Sequence, residues 1–137
     1  MAKDRRAKAT GRKGNSPFLN IPHSVLSSDA YRALDGWDVK LLVDIARQFT
    51  GYNNGDLNAV WSQLQQQGWN SKGTLHKSLK KLQDVGLILQ TRQGGRNRCS
   101  LYAISWRAID ECKGKLDIRA TQAPGNQHLL YRQPTPA

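Results

Sequence analysis

The chain has 137 residues, room for one domain of ordinary size, and its 38% hydrophobic content suits a modest core. Lysine and arginine number 21 against 10 acidic residues, a net charge of +11. No apolar run approaches the roughly 20 residues that cross a bilayer, and the basic N-terminus lacks the apolar stretch of a secretory signal, so a cytoplasmic protein is expected.

Residues 1–16 are rich in Lys, Arg, Ala and Gly without an apolar period and are predicted to form a disordered basic arm. Lys3, Arg5, Arg6, Lys8, Arg12 and Lys13 face only Asp4 there, a net of +5 over residues 1–13. The folded domain is expected over residues 17–113. Residues 18–21 read as an extended lead-in, because Pro22 disfavours helix at the residue before it. A short helix is expected over residues 28–34. Asp35 stands at an N-cap position, and Trp37, Leu41, Leu42, Ile45, Ala46 and Phe49 follow at helical spacing, so residues 36–49 are predicted to be an amphipathic helix with Asp38 and Asp44 on its polar face. Gly51, Asn53, Asn54 and Gly55 then mark a turn.

Val60, Trp61 and Leu64 predict a helix over residues 58–67, stopped by Gly68. Ser71 caps the next helix, whose apolar positions are Leu75, Leu79 and Leu82. Only Gly68, Trp69 and Asn70 lie between them, and a short glycine-containing turn lets two helices cross steeply. Gly86 closes the second helix, and residues 87–92 read as a strand. Gly94 and Gly95 are expected to supply positive φ for the reversal. The returning strand buries either Cys99, Leu101 and Ala103 or their neighbours Ser100, Tyr102 and Ile104. A last helix over residues 105–112 would pack Trp106 and Ile109 on the core. Residues 114–137, with Pro124, Gly125, Pro134 and Pro136, read as a flexible polar tail in which Leu116 and Ile118 could dock.

A second concentration of charge lies over residues 72–98, where Lys72, Lys77, Lys80, Lys81, Arg92, Arg96 and Arg98 face only Asp84, a net of +6. The rest of the chain is balanced, with 8 basic and 8 acidic side chains. Two basic concentrations in an otherwise neutral chain favour a polyanionic partner over a merely solvated surface.

The stretch SKGTLHKSLKKLQDVGLI, from Ser71 to Ile88, resembles the second helix and following strand of bacterial winged-helix regulators and of plasmid or phage replication initiators. The likeness lies in the capped start, the leucines at helical spacing and the closing Leu82, Gly86, Leu87, Ile88, and it extends over residues 37–104. It implies an α+β, mostly α fold: a single winged helix-turn-helix domain with a two-stranded hairpin wing. It further implies double-stranded DNA as partner, in transcription regulation or in replication or maintenance of a bacterial or mobile-element genome. With the leucines turned inward, Lys72, Gly73, His76, Lys77 and Lys80 occupy the free face of the helix that would enter the major groove. Lys72 and Lys77 would reach guanine edges or phosphates, and Ser71 and Thr74 would donate to phosphate, although Ser71 also reads as a plain N-cap. Arg92, Arg96, Asn97 and Arg98 at the hairpin tip match a wing laid on the backbone or in the minor groove, against the alternative of an edge hairpin kept soluble by charge.

Catalysis is not expected: His23, His76 and His128 lie in separate contexts, and no metal spacing, phosphate loop or nucleophile with a positioned base is present. Cys99 and Cys112 read as plain thiols, and no cofactor is expected. Trp37, Trp61, Trp69 and Trp106 sit at apolar or turn positions without interleaving with basic residues, which favours core over a stacking platform for single strands. The alternative function is a protein-interaction module, an inhibitor or adaptor of a protein or ribonucleoprotein complex, since one fold serves many roles. Phe18, Leu19, Val25 and Leu26 would either complete the monomer core or form a homodimer surface.

Overall fold

Two short helical turns, α1 (His23–Leu26) and α2 (Asp29–Arg32), lead into α3 (Gly36–Ala46), the helix around which the domain is packed. The computed structural model describes residues 17–134; the expected basic arm, residues 1–16, lies outside them. After α3 come α4 (Trp61–Gln66), α5 (Lys72–Asp84), and the antiparallel strands β1 (Ile88–Arg92) and β2 (Leu101–Ile104), followed by two 3-10 turns at Cys112–Gly114 and Gln127–Leu130. The result is a small α+β domain, and no helix among the described residues is long and apolar enough to cross a membrane.

Local capping explains the helix starts. Ser28 accepts from the Tyr31 N–H and opens α2. Asp35 and Asp38 form a reciprocal capping box, each carboxylate accepting the other's backbone N–H at 2.9 and 3.0 Å. This use draws Asp38 inward, and Asp44 is also buried, so neither belongs to the polar face predicted for them. α3 also ends at Ala46, short of the expected residue 49, because the Asn53 amide takes the Gln48 carbonyl at 2.9 Å and its oxygen accepts the Thr50 N–H. α4 begins at Trp61, later than the expected residue 58: the Gln48 side chain bonds both the N–H and the carbonyl of Asn58, leaving that stretch extended.

The core lies between α3 and α5 and is closed by the hairpin. Leu41, Leu42 and Ile45 meet Leu75, Leu82, Leu87, Ile88 and Ile104, all buried. β1 and β2 pair in the register Ile88↔Ile104, Leu89↔Ala103, Gln90↔Tyr102 and Arg92↔Leu101, with a bulge that leaves Thr91 over. On its other edge β2 is bridged by Leu57, whose N–H and carbonyl both bond Tyr102. β2 is therefore central and all four of its residues are buried, where alternation was expected.

Three further expectations are corrected. Gly94 and Gly95 do not carry the positive φ of the reversal; Asn97 does, at φ 65°, within a turn closed by Gly95 and Arg98 bonding each other. Gly94 is needed for space, since a Cβ there would lie 2.5 Å from the Ser100 nitrogen. Residues 105–112 form no α-helix, because the buried Asn54 amide takes the carbonyls of Ile104, Arg107 and Ala108 at 3.0–3.1 Å. Trp106 and Ile109 are nevertheless buried, as expected.

The third correction is the C-terminal segment, whose described residues, 114–134, are laid along the domain instead of trailing from it; residues 135–137 lie outside the described residues. Asp117 bonds Thr91, Thr121 exchanges hydrogen bonds with Ile109, and the Asn126 N–H donates to the Ser105 carbonyl. His128 is buried with its Nδ1 2.6 Å from the Ser105 hydroxyl. Leu116 packs beside Gly55 as anticipated, while Ile118 stays exposed.

Candidate nucleic-acid interface

The sequence-predicted residues fall on the free face of α5 and on the tip of the hairpin. At the start of α5, the Ser71 hydroxyl accepts from the Thr74 N–H at 3.2 Å and lies 3.1 Å from the Thr74 hydroxyl. Ser71 is thus a working N-cap, and the two hydroxyls are engaged with each other. Lys72, Gly73, His76, Lys77 and Lys80 are exposed, while Leu75, Ser78 and Leu82 face the core. Leu79 is only half-buried, and the buried Ser78 on that stripe carries no hydrophobic signal by which the sequence could have assigned it.

The lysines of α5 are not equivalent. Lys72 Nζ stands 5.8 Å from the centre of the Trp61 ring, a cation–π contact that links the first residues of α4 and α5. Lys80 pairs with Asp84 at 3.0 Å, an exposed i,i+4 bridge. Lys77, Lys80 and Lys81 line one shallow depression with Asp35, Asp38 and Asp84. The positive field is therefore least compensated at the N-terminal end of α5, around Lys72, Gly73 and His76. A Cβ on Gly73 would meet nothing closer than the Ser71 Oγ at 3.9 Å, so this end is open to a ligand.

At the hairpin tip the arginines divide in the same way. Arg92 is half-buried, and its Nη2 donates to the Cys99 carbonyl at 2.8 Å, so its first role is to brace the two arms of the hairpin. Arg98 reaches the Gln93 carbonyl at 3.3 Å. Arg96 and Asn97 are exposed, and Arg96 has no ion-pair partner among the described residues.

The aromatic expectation holds for Trp69 and Trp106 and needs correction for the other two. Trp37 is 44% exposed, with its ring centre 5.1 Å from that of Trp69. Trp61 does meet a basic residue, Lys72. Among the described residues no three His, Cys, Asp or Glu side chains are grouped to hold a metal ion. Cys99 and Cys112 are free thiols; burial raises the pKa of Cys112, with Asp56 and Asp110 adding to the effect and Lys115 opposing it.

No protein-family model matches the chain, and no curated protein or solved structure is similar enough to count as a relative.

Proposed function

We propose that this protein binds double-stranded DNA as a winged helix-turn-helix domain, with α5 as the recognition helix and the β1–β2 hairpin as the wing. The observation that carries the reading is the placement of two exposed cations without an ion-pair partner among the described residues: Lys72 at the open start of α5, and Arg96 at the hairpin tip. Three features of the domain agree with it. α4 and α5 are joined by a turn in which Gly68 has φ +99°. β1 and β2 form a two-stranded antiparallel hairpin, with Leu57 bridging the outer edge of β2. The N-terminus of α5 adds backbone N–H groups and the positive end of the helix dipole to the lysine charge. Transcription regulation, or replication and maintenance of a bacterial or mobile-element genome, are the roles such a module would serve.

Selection of bound sites from a random duplex library, followed by titration of the selected and a random duplex at one salt concentration, tests the proposal. A selected site bound at least about 10³-fold tighter than random duplex is the expected result. Failure to bind either duplex would overturn it.

The exposed Trp37 favours a second reading, in which the domain docks another protein through the surface around Trp37. Weak, sequence-independent DNA binding beside a tight stoichiometric protein complex sensitive to Trp37→Ala would select it.

A further inference from the structure

The C-terminal segment brings one carboxylate to the base of the hairpin tip. The Asp117 N–H donates to the Thr91 carbonyl at 2.8 Å, and its Oδ2 accepts the Gln93 N–H at 2.9 Å. Thr91, the residue left over by the bulge, is itself fixed: its side chain is buried and its hydroxyl donates to the Gly55 carbonyl at 2.6 Å. Two residues before Asp117, Lys115 pairs with Asp56 at 2.9 Å. Gln93 in turn is where the tip begins, since its carbonyl accepts Arg98 and the next N–H, from Gly94, donates to the Ser100 hydroxyl. The tip therefore leaves the sheet from an anchored residue, and only Arg96 and Asn97 extend beyond the bracing.

We propose that Asp117 is a positioning residue for the arginine tip, holding Gln93 so that Arg96 and Arg98 are presented in one fixed direction to the duplex. This rests on the duplex-binding reading above. By charge alone, a carboxylate beside these arginines opposes phosphate binding. The geometric contribution and the electrostatic one thus have opposite signs, and a pair of variants of equal charge separates them: Asp117→Asn keeps an oxygen acceptor for the Gln93 N–H, whereas Asp117→Ala removes it.

The full chain and its variants are titrated against a fluorescent mixed-sequence DNA duplex at one salt concentration. Asp117→Asn is expected to bind at least as tightly as the unaltered chain, and Asp117→Ala about threefold or more weakly than Asp117→Asn. In the Asp117→Ala background the loss on Arg96→Ala shrinks by about threefold, while the loss on Lys72→Ala in α5 is unchanged. Asp117 is exposed, so these truncations leave the core intact, and Asp117→Ser serves as a second truncation. Equal affinities of the Asn, Ala and Ser variants, in a chain that does bind, would overturn the role of Asp117 alone. No binding by the unaltered chain would overturn the duplex reading and this role with it.

Discussion

The indole N–H of Trp69 donates to Oδ2 of Asp44 at 2.8 Å, joining the turn before α5 to the last turn of α3. Lys40 reinforces the junction: its Nζ lies 3.3 Å from the same carboxylate and donates to the Gln67 carbonyl at 2.7 Å. The placement of α5 against α3 thus depends on a buried polar contact as well as on leucines. Asp44→Ala strands a buried indole N–H and is expected to cost about 1–3 kcal/mol in urea unfolding. Asp44→Asn, which keeps an acceptor, should cost less; equal losses would show that charge matters more than the hydrogen bond.

His128 makes stability depend on pH. Burial lowers its pKa below the ordinary 6.5, so the folded chain binds fewer protons than the unfolded chain just below that value. Its contribution is fully present above pH 6.5 and declines as the pH falls towards and through the depressed folded-state value. Thermal melting between neutral and mildly acidic pH should show this decline, and His128→Asn should flatten it. A variant with the same pH dependence would assign the effect to other groups.

Gly86 is expected to tolerate no side chain. Its φ is +81°, and a Cβ would stand 2.8 Å from the carbonyl carbon and oxygen of Gln127. The backbone conformation alone costs an L-residue about 1 kcal/mol, and the clash falls on backbone that cannot swing aside. Gly86→Ala should lower the unfolding midpoint and speed tryptic cleavage at Arg119 and Arg132 by loosening the C-terminal segment. Unchanged stability and cleavage would mean that this close approach does not hold the segment.

The two lysines that flank the open face of α5 should separate base from backbone contact. A lysine that reads a base loses on the order of 1–3 kcal/mol on the preferred site when replaced by alanine, and much less on random duplex. Lys72→Ala and Lys77→Ala are to be compared on both duplexes at one salt concentration. Lys72, held by Trp61 and outside the depression that Lys77 lines with Asp35, Asp38 and Asp84, is expected to show the larger loss. No loss for either variant or their combination would remove α5 from the interface.

Arg96→Ala should weaken duplex binding without lowering the melting temperature, because an exposed tip side chain contributes little to stability. Arg92→Ala should lower both, since Arg92 braces the hairpin through Cys99. Identical behaviour of the two variants would contradict this division of roles. Deleting residues 1–13 should weaken all duplexes alike and flatten the salt dependence by about 0.9 log units for each phosphate that those residues neutralise.

The helices were readable because their signals are local. Asp35 and Ser71 cap the turn that follows them, Gly68 and Gly86 have the positive φ that ends a helix, and Leu75 and Leu82 recur at the spacing of a buried stripe. The order of helices and hairpin, and the residues exposed at the start of α5, follow from that information. What the tertiary structure decided are contacts between groups remote in sequence. The Asn54 amide takes carbonyls about fifty residues away and so prevents a helix that local pattern allows. Arg92 and Arg96 look alike in sequence, yet one braces the hairpin and the other is free, because only one lies within reach of the Cys99 carbonyl. The C-terminal segment has too few apolar residues to announce a packed element. It is held by Asp117, Thr121, Asn126 and His128 bonding backbone or side-chain groups of the hairpin and the segment after it. A polar side chain's partner is set by where the folded backbone brings the other group, and no periodicity along the chain records that position.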